Sequence, residues 1–297
     1  MNKPKVVILG GGFAGIECAK KFRRQDVEVV IVDRQNHHLF QPLLYQVASA
    51  GLAAPEIAHP IRTIFAKDKN IRVLMDEVTG IDFEKKEVST TRKELSYAYL
   101  VIAMGVQTGY FGNDHWQPFA RGLKSLDDAT AMRRDLLFAF EKADACDDPE
   151  ERERLMTVGV IGGGPTGVEL AGAFAELARH VLQRDFKYLD TDKARILLIE
   201  AAPRLLTMYD ESLSEYTREA LEGMGVHVML ISPVKDLRAG EIELENETIR
   251  AGNIIWAAGI QAPPITKSFG IETDRAGRIV VETDLSVKSH PEVFVGG

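Results

Sequence analysis

The pattern that most constrains this chain is a glycine signature that occurs twice. Lys5 to Glu17 reads KVVILGGGFAGIE, and Thr157 to Glu169 reads TVGVIGGGPTGVE. In the first copy the apolar run Val6 to Leu9 has the character of a strand buried on both faces, and Ile16 onward has that of a helix. Between them Gly10, Gly12 and Gly15 complete G-x-G-x-x-G, as Gly162, Gly164 and Gly167 do in the second copy. A strand, glycine turn and helix in this order suit a dinucleotide. The first glycine makes the tight turn, the second lets a pyrophosphate approach the backbone, and the third lets the helix pack close to the sheet. The free N–H groups and the positive end of the helix then face the phosphates.

Three landmarks recur in one order. Gly162 lies 152 positions after Gly10, Val234 lies 156 after Val78, and Gly259 lies 154 after Gly105. Around the last pair, IAMGVQT mirrors WAAGIQA. Asp33 ends a second apolar run, Val27 to Val32, and stands where an acid would bind the adenosine ribose. Its counterpart Glu200 ends the run Arg195 to Ile199 but lies 167 positions after Asp33. The second copy is therefore expected to carry an insertion of roughly a dozen residues, within Arg179 to Lys193.

Other stretches read more simply. Asn70 to Gly105 alternates and turns, as an antiparallel meander returning to the parallel sheet would, and Gly225 to Gly259 repeats it. Ser125 to Ala145 reads as a helix, with a capping box from Ser125 and Asp128 and a core stripe of Leu126, Ala129, Met132, Leu136 and Phe140. Asp147 to Arg154 reads as a solvated charged connector. Asn36 to Leu52 begins like a loop and would pack on a bound cofactor. Its adjacent histidines, His37 and His38, have no carboxylate or thiol at ligand spacing, so no metal is expected.

Composition narrows the class. At 297 residues the chain is near the limit of one core, so two domains are expected. A net charge of −8 argues against nucleic-acid binding and against a general attraction to anionic lipid. Cys18 and Cys146 form no C-x-x-C pair or metal-spaced cluster, which points to a reduced, cytosolic setting. The apolar run after Lys5 is too short for a signal peptide, and no stretch reaches the roughly 18 apolar residues of a membrane helix. Two dinucleotides on one chain suggest electron transfer between them, as between a flavin and a nicotinamide. Glu200 stands where a 2′-phosphate would need a cation. Although Arg204 follows four residues on, NADH is expected over NADPH.

Taken together, GGGFAGIE, HHLFQPLLYQVA, IAMG, GGGPTGVELAG and WAAGIQA resemble the type II NADH dehydrogenases, the single-subunit NADH:quinone oxidoreductases, over essentially the whole chain. The resemblance implies an α/β fold of two Rossmann-like domains, one for FAD and one for NAD, with antiparallel meanders and a glutathione-reductase-like arrangement. Residues 1–117 would begin the FAD domain, 118–262 would form the NAD domain, and 263–297 would return to the FAD domain and be cut short. FAD would lie at Gly10, Gly12, Phe13, Ala14, Gly15, Asp33, Arg34, Gln41, Val78, Ala103, Met104 and Gly105. NADH would lie at Gly162, Gly164, Pro165, Thr166, Gly167, Glu200, Ala258 and Gly259.

The implied reaction is hydride transfer from nicotinamide C4 to flavin N5, then reduction of a quinone of the membrane pool, with no proton pumped. Glu169 matches the family's active-site glutamate and would support proton or hydride transfer. The plainer alternative is that it only complements the helix dipole, as its counterpart Glu17 would. The resemblance also implies a homodimer on the cytoplasmic face of the membrane. The family continues past the glycines matching Gly296 and Gly297 into an Asp that holds the flavin, then quinone-site residues and membrane-anchoring helices. A chain ending there is expected to retain flavin weakly and to lack that membrane contact.

Rival readings divide by cysteine. A flavin disulfide reductase needs C-x-x-x-x-C where this chain has Gln41 to Gln46, and a sulfide:quinone oxidoreductase needs cysteines beside the flavin. An NADH-dependent reductase of ferredoxin or rubredoxin remains open, as does a slow NADH- and FAD-holding redox sensor that acts through dimerisation.

Overall fold

The apolar runs beside the glycines become the central strands of two parallel sheets in the computed structural model, which describes residues 3–297. The chain forms two units. One holds the residues up to Phe40 with Pro55–Gln107 and Ile260–Gly297; the other holds Gln41–Ala54 and Thr108–Gly259.

In the first unit Lys5–Leu9 lies between Glu28–Asp33 and Tyr99–Ile102, parallel to both. Ile71–Met75 and His290–Val295 extend the parallel sheet on either side, and Ser286–Val287 closes one edge antiparallel. The unbroken apolar run follows from this position. Val7 and Leu9 pack into one cluster with Val30, Leu100 and Phe269, whereas Val6 and Ile8 pack into another with Ile16, Ala19 and Ile61. Successive side chains leave a strand on opposite faces, so a strand covered on both sides must be apolar throughout. Each fully buried Ile or Leu here contributes about 1.5–3 kcal/mol.

The meander is shorter than expected. Val78–Asp82, Glu87–Thr90 and Glu94–Ser96 form the antiparallel sheet, but Ile71–Met75 belongs to the parallel one. Its edge position leaves Arg72 and Met75 exposed, so its sequence alternates like that of a meander strand.

The second unit repeats the plan. Thr157–Ile161 is flanked by Arg195–Ile199 and Asn253–Trp256, with Val226–Met229 and Arg121–Gly122 outside them, all parallel. Asp236–Arg238, Glu241–Glu243 and Thr248–Arg250 form its meander. The insertion falls where expected. Helix Pro165–Glu176 runs on into a wider turn at Leu177–Leu182 and a short helix at Gln183–Asp185 before Arg195 starts the next strand.

Helix Leu126–Asp144 has the expected capping box. Asp128 N–H donates to Ser125 Oγ at 3.1 Å, and Ser125 N–H donates to the Asp128 carboxylate at 2.9 Å. Ala129, Met132, Leu136 and Phe140 are buried, and Leu126 only partly. The stretch expected as a charged connector instead holds a helix, Pro149–Leu155. Asp148 caps it by accepting Glu150 N–H at 3.0 Å, and Pro149 opens it. Glu150 and Glu151 sit in its first turn and Arg152 and Arg154 in its last, an order that suits the helix dipole. Among the described residues no helix is long and apolar enough to cross a membrane, and no group of three His, Cys, Asp or Glu is placed to hold a metal ion.

Candidate functional site

In the first unit the chain leaves the sheet at Leu9 and turns at Gly10, whose N–H donates to Val32 O at 2.8 Å. Gly10 has φ +110°, and a Cβ there would run into the Ala103 carbonyl. A Cβ on Gly15 would run into the Gly10 carbonyl, so the helix Phe13–Lys21 can approach the turn only because that residue is glycine. Gly12 is the opposite case. It caps the helix in an extended conformation, and a Cβ there would meet nothing within 4 Å. The N–H groups of Gly12, Phe13 and Ala14 have no acceptor among the described residues, as is normal for a first helical turn. Open space, free donors and the helix dipole coincide there, which suits a phosphate.

The second unit reproduces this arrangement. Gly162 has φ +115° and donates to Ile199 O at 2.8 Å. A Cβ on Gly167 would run into the Gly162 carbonyl, whereas one on Gly164 would meet nothing within 4 Å. Pro165 opens the helix, where the N–H it lacks has no helical partner to lose, and Thr166 follows it.

The acids behave alike. Asp33 accepts Gly11 N–H at 2.5 Å through one oxygen and Gln35 N–H at 2.6 Å through the other. Glu200 accepts Gly163 N–H at 2.5 Å and Ala202 N–H at 2.7 Å. Each carboxylate thus pins the middle residue of its turn, and each oxygen keeps a further lone pair for a ribose hydroxyl. Arg204, the cation nearest Glu200 in sequence, is already engaged. Its guanidinium donates to Tyr209 O at 2.7 Å, Ser214 Oγ at 2.8 Å and Thr207 O at 3.0 Å.

The remaining expected residues divide. Ala103, Met104 and Gly105 follow the strand Tyr99–Ile102, and Ala103 N–H donates to Leu9 O at 2.7 Å beside the turn. Val78 opens the meander and packs on the same core cluster as Met104. Ala258 packs on the core of the second unit, and a Cβ on Gly259 would meet Gly109 O. Arg34 is exposed. Gln41 is exposed too, and begins a short turn, Gln41–Leu43, that clusters with the second unit. Leu44, Val47 and Ala48 draw that segment there by burying themselves, in a helix that packs on Leu126–Asp144 and Pro165–Glu176.

The matched glutamates differ. Glu17 takes Lys20 Nζ at 2.5 Å, and that bond holds its carboxyl below the usual range. Glu169 has no hydrogen bond or ion pair among the described residues. It keeps part of its surface in water, and the burial it does have pushes its carboxyl above the usual range.

One contact lay beyond sequence reasoning. His38 Nδ1 is 3.0 Å from Gly11 O, and its ring meets Phe13 edge-on at 5.1 Å. Phe13 in turn meets Phe40 edge-on at 5.6 Å.

Residues 4–297 match the family model described as pyridine nucleotide-disulphide oxidoreductase. The type II NADH:quinone oxidoreductase Ndh of Mycobacterium tuberculosis is 40% identical over 309 residues, covering 100% of this chain and 67% of that protein. The solved structure of NDH2 from Plasmodium falciparum in complex with NADH is 26% identical with a TM-score of 0.91, covering 100% of this chain and 64% of that one. The sulfide:quinone oxidoreductase of Aquifex aeolicus shares the fold at a TM-score of 0.81 and 18% identity. The chain spans about two thirds of the length of these relatives. It belongs to the pyridine nucleotide-disulphide oxidoreductase family, among the type II NADH:quinone oxidoreductases.

Proposed function

We propose that the first unit holds FAD, that the second takes NADH, and that the protein is an NADH:quinone oxidoreductase. The observation that carries this reading is the pair of glycine turns, each with an open N-terminal cradle and a carboxylate bonded to its middle N–H. The relatives' names supply the reductant and the quinone. Bound FAD would supply the hydride acceptor and pass the electrons on.

The chain's own residues bind and select. The N–H groups of Gly12, Phe13 and Ala14 would hold the pyrophosphate of FAD, and Asp33 its adenosine ribose. Gly164, Thr166 and Glu200 would do the same for NADH. A 2′-phosphate beside Glu200 would meet a carboxylate, with Arg204 occupied elsewhere, so NADPH is disfavoured. Glu169, unpaired and held above the usual carboxylate range, would take or return a proton during the reaction.

Stopped-flow absorbance tests the reading. NADH should bleach the flavin and a soluble quinone analogue should restore it, with kcat/KM for NADPH lower by about tenfold or more, equivalent to 1.4 kcal/mol. Reoxidation that is faster with ferredoxin or rubredoxin than with quinone would overturn the acceptor. A preference for NADPH would overturn the role of Glu200.

A further inference from the structure

We propose that His38 is a positioning residue that aims the phosphate-binding N–H groups of the first unit. The proposal rests on the reading that this unit holds FAD. A carbonyl oxygen can only accept, so the contact between His38 Nδ1 and Gly11 O places the ring proton on Nδ1. Gly11 is then held at both ends, its N–H by Asp33 and its C=O by His38. In a trans peptide the C=O and the following N–H point opposite ways, and the chain has no cis peptide among its described residues. Drawing Gly11 C=O toward His38 therefore turns Gly12 N–H the other way. Gly12 is the residue whose Cβ position is open space.

The second unit reaches the same end by a different means. Gly163 N–H is held by Glu200, and Gly163 O accepts the main-chain N–H of Leu206 at 2.8 Å. Leu206 stands six residues after Glu200, where the first unit has Leu39, six after Asp33 and next to His38. In the first unit the main chain here is committed elsewhere, because His37–Leu39 pairs with Ala58–Pro60. An imidazole takes the place of the missing main-chain donor, and Phe13 steadies it edge-on.

The test uses His38→Phe, which keeps an aromatic ring against Phe13 and loses the donor, and His38→Gln, which can still donate. FAD affinity is read by quenching of flavin fluorescence on titration of the deflavinated protein. NADH binding to the second unit, measured on the same sample, reports that the chain has folded. Loss of this partly buried hydrogen bond should weaken FAD binding about tenfold in His38→Phe, with NADH binding unchanged within about twofold. His38→Gln should return FAD affinity to within about threefold of the parent. FAD binding by His38→Phe equal to the parent's would overturn the proposal, as would equal losses in both variants. If His38→Phe does not fold, His38→Gln decides alone, and a loss of tenfold or more there overturns it. A parent protein that binds NADH but no FAD would instead defeat the reading of the first unit, and the proposal with it.

Discussion

Two glutamates at matched places in the two units, Glu17 and Glu169, arrive at opposite electrostatic states. Each follows the third glycine of its turn by two residues, and each sits in the first part of a helix. The difference lies in a neighbouring cation and in burial. Lys20, three residues after Glu17, has Gly172 as its counterpart three residues after Glu169. Glu17 is therefore paired on the surface, whereas Glu169 has no cation partner among the described residues. The same frame holds both positions, but Lys20 lowers the Glu17 pKa whereas partial burial raises that of Glu169.

The comparison can be broken most directly by kinetics. Glu169→Gln should lower kcat for NADH oxidation about 100-fold, the lower end of what a positioned acid or base contributes. Glu17→Gln should leave turnover within about twofold of the parent. Steady-state assays with a quinone analogue measure both, and equal effects would show that the two positions are equivalent after all. A smaller effect probes what the two units share. Gly15→Ala and Gly167→Ala each drive a Cβ onto a carbonyl of the same turn, so each should cost about 1–3 kcal/mol of stability in denaturant titrations. A large loss at one site and none at the other would mean that the turns are built differently.

The smallest effect is in the pH dependence of stability. Glu169 has a raised folded-state pKa, so ionising it costs stability, and that cost grows as pH rises through the folded value. Glu169→Gln should thus be the more stable protein at neutral pH, with the gap closing in acid below the ordinary glutamate pKa. Glu17 has a lowered pKa, so its pairing stabilises the fold above the ordinary glutamate value and is lost as pH falls through the folded one. Glu17→Gln should be slightly less stable at neutral pH, again converging in acid. Thermal melts across pH would reveal whether the two slopes have opposite signs.

Much of the frame was legible because its causes are local. A doubly covered strand must be apolar throughout, a tight turn under a helix must be glycine, and Ser125 with Asp128 announces a helix start. Pro149 and Asp148 announced another start, but the surrounding charges were read as solvation instead of as dipole complement. Ile71–Met75 misled because an edge strand alternates like a hairpin strand. The helix Leu44–Ala48, in a stretch that reads like a loop, was hidden for a non-local reason. Which unit Leu44 and Val47 join depends on surfaces contributed from more than seventy positions further along the chain. The bond from His38 to Gly11 was equally hidden, since it spans 27 positions and needs the fold to exist first.

On the role proposed for Glu200, the bond it accepts from Gly163 would tie nucleotide choice to backbone shape. An engineer who swaps Glu200 for a basic residue to admit phosphorylated coenzyme would also unfasten the Gly163 N–H in the middle of the glycine turn. Altering preference here calls for a neutral acceptor such as Gln at that position, with the new positive charge brought in from elsewhere on the chain.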